Sequence, residues 1–252
     1  MLNYVQAELW RTSKRFWLRF LFGTGILLPI LMNILLFFSI CETKTAMPAE
    51  EIGLFAGIFV PFFGLLALIV ITDQVFADEN RLHTFSNTIG GGISRLTICW
   101  GKFAAILILA FLLLSLMFGS FALSYLIIFS NFVMSPDQLQ QLLLPLSQKI
   151  AVCFPIWIGI LGILLCIFLN SVNSTVLVCA VLFLSGIPTL FFDRLNTPIT
   201  DFLNWWNPLT KLLILMIEID VVPYLLECWI VGTTFFVFFT AFGALLFSHR
   251  EF

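Results

Sequence analysis

The sequence predicts an all-α integral membrane protein with six transmembrane helices. Three observations lead to this prediction: a composition that is 61% hydrophobic and 10% charged, a mean hydropathy of +1.09, and several long apolar runs. Soluble domains are about 45–50% apolar and about 25% charged. The chain has too few polar residues to cover a water-exposed surface, which excludes a soluble enzyme. Its net charge of −2 offers no basic field to nucleic acid, so no nucleic-acid partner is expected.

Six apolar runs are each long enough to form a membrane-spanning helix. A hydrocarbon core about 30 Å thick needs roughly 20 apolar residues in helical form. The runs occupy about 17–40, 52–76, 103–130, 150–169, 175–192 and 226–247. None shows the alternation of polar and apolar residues that is typical of a membrane β-barrel. The whole chain, 1–252, is therefore predicted to form a single transmembrane domain.

The distribution of Lys and Arg predicts the orientation of the spans. Arg11, Lys14, Arg15 and Arg19 lie before or within the start of the first run. Short cytoplasmic segments carry an excess of Lys and Arg, so the N-terminus is placed inside the cell. An even number of spans then puts both termini in the cytoplasm and leaves an external face rich in Asp and Glu.

The N-terminal segment 1–16 has the pattern of a helix that lies along a membrane surface. Leu2, Val5, Leu9 and Phe16 fall on one helical face, and polar side chains occupy the rest. Such an amphipathic helix rests with its apolar face in the lipid interface. The segment is therefore predicted to be an interfacial helix on the cytoplasmic side.

Two longer segments lie between the predicted spans. Residues 77–102 form the long cytoplasmic loop. Residues 193–225 are external yet unusually apolar, and their apolar part is too short to span, which predicts a re-entrant segment. The centre of this external segment contains Trp205, Trp206, Asn207 and Pro208.

The chain carries no recognisable catalytic motif. Its two histidines, His83 and His249, both lie outside the apolar runs, and no zinc-protease or serine-hydrolase pattern is present. The pair Gly101-Lys102 lacks the upstream glycine of a phosphate-binding loop. The sequence therefore predicts a protein that is not an enzyme and that itself binds no cofactor or metal.

The cytoplasmic loop carries the most specific pattern in the chain. It reads FADENRLHTFSNTI over 76–89, followed by three glycines and then Ile93-Ser94-Arg95. Leu82, Phe85 and Ile89 recur at helical spacing, which gives an apolar stripe suited to a groove on a partner protein.

This loop resembles the loop between the second and third spans of type-2 ATP-binding-cassette exporter permeases. Glu79, Thr84, Arg95 and Lys102 match the pattern of that loop. The resemblance implies that 79–89 forms a coupling helix that docks on an ATPase subunit. The implied ATPase-contact residues are Glu79, Leu82, Thr84, Phe85, Ile89 and Arg95.

Two other segments extend the resemblance. The start, MLNYVQAE over 1–8, resembles the interfacial helix of the same family, and in particular of the permeases of lantibiotic and bacitracin self-protection exporters. The sequence Trp206-Asn207-Pro208 fits the re-entrant segment that these permeases carry between their fifth and sixth spans.

The resemblance implies a function and a set of partners. The chain would be the permease subunit of an ATP-driven exporter in the bacterial cytoplasmic membrane, where it would expel an amphipathic, lantibiotic- or bacitracin-like antimicrobial peptide. A separate ATPase subunit would bind ATP-Mg, and a second permease, identical or related, would complete the transporter. Membrane lipid would surround both.

Two alternatives from other functional classes remain open. One is a non-transporting membrane immunity protein that sequesters a bacteriocin, which would need no ATPase. The other is an ion-coupled drug efflux carrier, for which Asp73 and Asn33 are the candidate polar residues within the spans.

Overall fold

The chain is helical through nearly all of the part that the structure describes. The computed structural model describes residues 2–43, 49–82, 92–129, 136–170, 198–218 and 220–249. The helices are α1 (Leu2–Ser13), α2 (Phe16–Thr43), α3 (Ala49–Leu82), α4 (Arg95–Phe129), α5 (Pro136–Asn170), α6 (Pro198–Trp206), α7 (Pro208–Ile217) and α8 (Leu225–His249), with a 3-10 turn at Val222–Tyr224. These ranges contain no strand, and the all-α prediction is confirmed for them.

Among the residues that the structure describes, four helical stretches are long and apolar enough to cross a membrane, which indicates a membrane protein. They are Phe16–Phe38, Arg95–Ile128, Leu144–Asn170 and Val222–Phe247. The predicted run at 52–76 lies within α3, a helix of 34 residues, and the part of it whose side chains are described is apolar over Val60–Phe76. The predicted fifth run, 175–192, lies outside the described residues, so the six-span topology stays a prediction.

The start of α4 is fixed by a glycine turn and a serine cap. Gly92 has a φ of 85°, a left-handed conformation that glycine adopts without strain. Ser94 then accepts a hydrogen bond through its Oγ from the backbone N–H of Thr97 at 3.2 Å. Such an N-cap satisfies one of the amide groups that the first helical turn leaves without a partner.

Helix α5 is the central helix of the bundle. In its apolar stretch, 72% of the residues are buried, against 28% or less in the other three spanning stretches. It packs most extensively against α8 and next against α3, whereas α2 packs mainly against α4. The short helix α7 rests on α3 and α5.

Glycines bring α5 and α8 into backbone contact. A Cβ added to Gly159 would lie 2.8 Å from the carbonyl oxygen of Gly232, and a Cβ added to Gly232 would overlap the carbonyl group of Pro155. Further along the same interface, a Cβ on Gly243 would lie 2.8 Å from the Cα of Cys166. Membrane helices that lack a hydrophobic driving force gain van der Waals contact through small residues in this way.

The outer surface of α2 is apolar. Leu27, Leu31 and Leu35 are more than half exposed and follow one another at four-residue spacing. This spacing places them on one face of the helix. An apolar face of this kind is suited to contact with lipid chains.

Candidate functional site

A buried ion cluster joins α1 to α3 and α4. Glu8 of α1 is 4% exposed, and Lys102 of α4 is fully buried. Lys102 Nζ donates to Glu8 Oε1 and to the carbonyl oxygen of Val75 in α3, both at 3.1 Å. Arg11 Nη2 donates to Glu8 Oε2 at 2.7 Å and to the same carbonyl at 3.2 Å. Glu8, Arg11, Lys102 and the Val75 carbonyl are called the Glu8 cluster below.

The Glu8 cluster satisfies the charges that it buries. The Lys102 ammonium, which has two oxygen acceptors, also lies 4.7 Å from the centre of the Phe76 ring, a favourable cation–π position. Burying two charges is unfavourable unless their geometry and hydrogen bonds are good. The cluster meets this condition with partners from three different helices, so it fixes their relative positions.

A close contact beside the Glu8 cluster fastens α1 to α4. A Cβ on Gly101 would lie 2.8 Å from Cε1 of Tyr4, which shows that the tyrosine ring packs directly on the backbone of α4. Gly101 immediately precedes Lys102, so the contact and the ion pair act on the same turn of α4.

The face of α1 that packs against the protein includes polar side chains, and the contact of its apolar residues with the lipid interface stays a prediction. The structure buries Val5, Glu8 and Thr12, whereas Leu2 is 79% exposed and Phe16 begins α2. Thr12 can be buried because its Oγ1 donates to the Glu8 carbonyl oxygen at 2.7 Å. The segment is therefore a helix, as predicted. Its partly polar face can pack against the protein because Glu8 and Thr12 have hydrogen-bond partners there.

The predicted ATPase-contact residues of the loop are only partly within the described residues. Glu79 and Leu82 lie on the last turn of α3, which runs without interruption from Ala49. Thr84, Phe85 and Ile89 lie outside the described residues. The first residues of the predicted coupling helix thus belong to α3, the same helix that contains the second predicted span.

Arg95 is held by α8. Its Nη1 donates to the carbonyl oxygen of Phe247 at 2.7 Å, and its guanidinium carbon lies 5.9 Å from the centre of the Phe247 ring. A cation at the C-terminal end of a helix is favourable because backbone carbonyls there lack partners. Arg95 therefore ties the start of α4 to the end of α8, and its contact with an ATPase stays a prediction.

An open cleft lies between α1 and the start of α4. It has a volume of about 590 Å³ and is lined by Asn3, Tyr4 and Ala7 from α1 and by residues 92–94 and Thr97. It therefore adjoins both the Tyr4 contact and the segment that follows the predicted coupling helix.

The described part of the segment that is predicted to be external forms two short helices, α6 and α7, joined at Asn207. Asn207 accepts a hydrogen bond through Oδ1 from the backbone N–H of Leu209 at 3.0 Å, and Pro208 occupies the first turn of α7. Asparagine before proline is a strong helix-start signal. Trp205 and Trp206 end α6 with their ring centres 5.1 Å apart. The predicted four residues thus mark the break between the helices, and the re-entrant position stays a prediction.

The helix after this break is anchored by a second buried cation. Lys211 of α7 is 4% exposed and pairs with Glu227 of α8. Its Nζ also lies 5.3 Å from the centre of the Trp205 ring. The pair links the external segment to the last predicted span.

Asn33, a candidate for ion coupling, takes part in helix packing. Its Nδ2 donates to the Phe121 carbonyl oxygen at 2.9 Å and to Ser124 Oγ at 2.6 Å. Both acceptors belong to α4, so the amide group joins α2 to α4.

No family model, curated protein or solved structure matches the chain. The function of the chain is therefore inferred from its own residues and from the resemblance of its loop.

Sequence reasoning matched Lys102 to a motif but did not find its partners. Glu8 is separated from it by 94 positions, and no local pattern connects them. The available signal was Glu8 between the apolar residues Val5 and Leu9, since a carboxylate on that side of a helix needs a buried cation.

Proposed function

We propose that the chain is the permease subunit of an ATP-driven exporter that expels an amphipathic antimicrobial peptide from the bacterial cytoplasmic membrane. The observation that supports this proposal best is the Glu8 cluster. It connects a short N-terminal helix to the ends of α3 and α4, the two helices on either side of the loop that resembles an ATPase-docking loop. Force applied to that loop would reach the membrane helices through rigid contacts.

The energy for export would come from a separate ATPase subunit. That subunit would bind ATP-Mg and dock on the loop through Glu79, Leu82, Thr84, Phe85 and Ile89. When the ATPase closes, α1 and the inner ends of α3 and α4 would move as one body because the Glu8 cluster joins them. A second permease, identical or related, would form the other half of the transporter.

The substrate would be an amphipathic peptide that has entered the outer leaflet. The acidic external face attracts cationic peptides by long-range electrostatics. The apolar helices α6 and α7, with Trp205 and Trp206 at the end of α6, would contact the apolar part of such a peptide. Both termini of the chain would remain in the cytoplasm.

Affinity purification in mild detergent tests the proposal. A tagged chain from its own host should retain an ATPase with a phosphate-binding loop in near-stoichiometric amount, and mass spectrometry would identify it together with any second six-span chain. Membrane vesicles containing this complex should export a lantibiotic only when ATP is supplied. Recovery of the chain alone, while a control exporter stays intact, would favour the sequestering immunity protein. Transport that follows a proton or sodium gradient without ATP would favour the ion-coupled carrier.

A further inference from the structure

The junction of α1 and α2 concentrates positive charge. Residues 10–20 contain four Lys or Arg residues and no Asp or Glu, although the chain as a whole has a net charge of −2. Arg11 belongs to the Glu8 cluster. Lys14 and Arg19 are exposed, and among the described residues neither of them pairs with a carboxylate. Two cations at this junction are therefore available to an external anion.

A hydrogen bond draws Arg19 towards Lys14. Helix α1 ends at Ser13 and α2 begins at Phe16, so Lys14 lies in the turn between the two helices. Arg19 Nη2 donates to the carbonyl oxygen of Lys14 at 2.9 Å, which directs the guanidinium out of α2 and back to the turn. A guanidinium has five N–H groups, so this contact holds the group in place and leaves other donors for a ligand.

Exposed aromatic rings lie beside these two cations. Trp10, Phe16, Trp17 and Phe20 are each more than half exposed. The Lys14 ammonium lies 5.4 Å from the centre of the Trp10 ring. The other three rings contact one another, with centres 5.8, 6.3 and 6.1 Å apart, and are called the aromatic cluster below.

The aromatic cluster marks a membrane boundary. Phe16 is the first residue of a stretch that is apolar and long enough to span, Phe16–Phe38. Aromatic side chains at the end of a span lie at the level of the lipid headgroups, and neighbouring Lys and Arg side chains extend towards the water. Lys14 and Arg19 are therefore at the depth at which lipid phosphates occur.

A ligand that matches this junction must carry a negative group and hydrocarbon close together. Free phosphate would match the cations but would leave the aromatic cluster without contact. We propose that the junction of α1 and α2 binds an anionic phospholipid. Its phosphate accepts hydrogen bonds from Lys14 and Arg19, and its acyl chains lie along the aromatic cluster. Guanidinium groups suit this role because their N–H groups can donate in parallel to phosphate oxygens.

The predicted orientation agrees with this ligand. The N-terminus is predicted to be cytoplasmic, and the cytoplasmic leaflet is the one that carries anionic lipid and a negative surface potential. The bound lipid would hold the end of α1 at the membrane surface, and the Glu8 cluster joins α1 to α3 and α4. The inference does not depend on the proposed export function, since it involves only the α1–α2 junction and the bilayer.

Native mass spectrometry of the purified full-length chain tests this inference. The chain is delipidated in detergent and mixed with equal amounts of dioleoyl-phosphatidylglycerol and dioleoyl-phosphatidylcholine, which share their acyl chains but differ in headgroup charge. The wild type should take up phosphatidylglycerol preferentially as its first bound lipid. Two cations near a membrane surface together contribute roughly 30-fold to the affinity for anionic lipid. The double variant Lys14→Gln with Arg19→Gln should therefore lose most of the preference.

The matched control is Lys44→Gln with Arg194→Gln. It removes the same charge from two segments that are predicted to be external, so it should keep the wild-type preference. If the variant of the junction does not elute as a folded species, Lys14→Gln alone takes its place, because Lys14 is exposed and lies outside both helices.

Four results would overturn the inference. The first is equal uptake of the two lipids by the wild type. The second is an unchanged preference in the variant of the junction. The third is an equal loss of preference in the control, since net charge and not this junction would then select the lipid. The fourth is displacement of phosphatidylglycerol by an excess of inorganic phosphate, which would make a soluble anion the ligand.

Discussion

Glu8 is the residue on which the packing of α1 against α3 and α4 depends. Its two carboxylate oxygens accept from different cations, one on its own helix and one on α4. Lys102 has no access to solvent, and Glu8 places a negative charge in direct contact with it. A neutral side chain at position 8 would remove that negative charge from the buried ammonium.

Replacing Glu8 by Gln should destabilise the protein strongly. Removing one partner of a buried ion pair costs about 3–5 kcal/mol because the other charge stays buried. The midpoint of thermal unfolding in detergent, followed by intrinsic fluorescence, should fall clearly below that of the wild type. The matched control is Asp201→Asn, because Asp201 is exposed and its replacement leaves no buried cation without a counter-charge, so the midpoint should change little.

Replacing both buried partners should recover most of that loss. In Glu8→Leu with Lys102→Met, no buried charge is left without a partner, and such double replacements are often neutral. Arg11 keeps the Val75 carbonyl and partial access to solvent. A double variant that unfolds as early as Glu8→Gln would show that the loss does not come from the uncompensated Lys102.

At the scale of secondary-structure elements, the close packing of α5 against α8 depends on glycines, which have no side chain to keep the two backbones apart. Gly159 and Gly232 face each other across it, and the neighbouring atoms are backbone atoms that cannot rotate away. The two helices could not approach so closely with any larger residue at these positions. This interface holds the central helix of the bundle, so its loss would affect the whole fold.

Gly232→Ala should therefore separate α5 from α8. The added Cβ overlaps the Pro155 carbonyl group, and overpacking of this kind costs about 1–3 kcal/mol or more. Gly119→Ala is the control, because a Cβ there meets nothing within 4 Å and alanine favours a helix by about 0.5–1 kcal/mol. Size-exclusion profiles and unfolding midpoints of both variants would measure the difference. Equal stability of the two would contradict the close approach.

The predicted coupling helix can be tested as an element. Replacing Phe85 and Ile89 together by Ala should remove the apolar stripe that docks on the ATPase, so the ATPase should be lost from the purified complex. The fold should be unaffected, as judged by the unfolding midpoint. Leu226→Ala, at an exposed apolar position at the opposite end of the bundle, should retain the partner. Unchanged recovery of the ATPase in the double variant would show that the stripe is not the docking surface.

At the scale of the whole molecule, the predicted location of the C-terminus can be tested. With the N-terminus in the cytoplasm, an even number of spans places the C-terminus there too, and an odd number places it outside. A fluorescent protein fused after Phe252 should fold and fluoresce, since the C-terminus is predicted to be cytoplasmic. Alkaline phosphatase, which is active only outside, should be active when fused after Ala46 and inactive when fused after Gly91. An active phosphatase fused after Phe252 would require an odd number of spans and a different topology.

The helices of this protein could be predicted from sequence because they depend on local properties. A run such as 103–130 needs only enough apolar residues to match the bilayer and a backbone that bonds within its own segment. The short external helices were predicted only as an apolar segment, although Asn207 and Pro208 carried the signal for the start of α7. The predicted span 52–76 and the start of the predicted coupling helix at Glu79 form one continuous helix, α3, which no local pattern indicated.

By itself, the sequence determined the helical class, four stretches of spanning length and the N-terminal helix. The tertiary structure decided which polar residues are buried, which helix is central and which glycines meet. The physical reason is that the two kinds of property involve residues at different separations along the chain. Helix formation and hydrophobic length involve neighbouring residues, whereas the pairing of Glu8 with Lys102 and the contact of Gly159 with Gly232 exist only after distant helices have packed together.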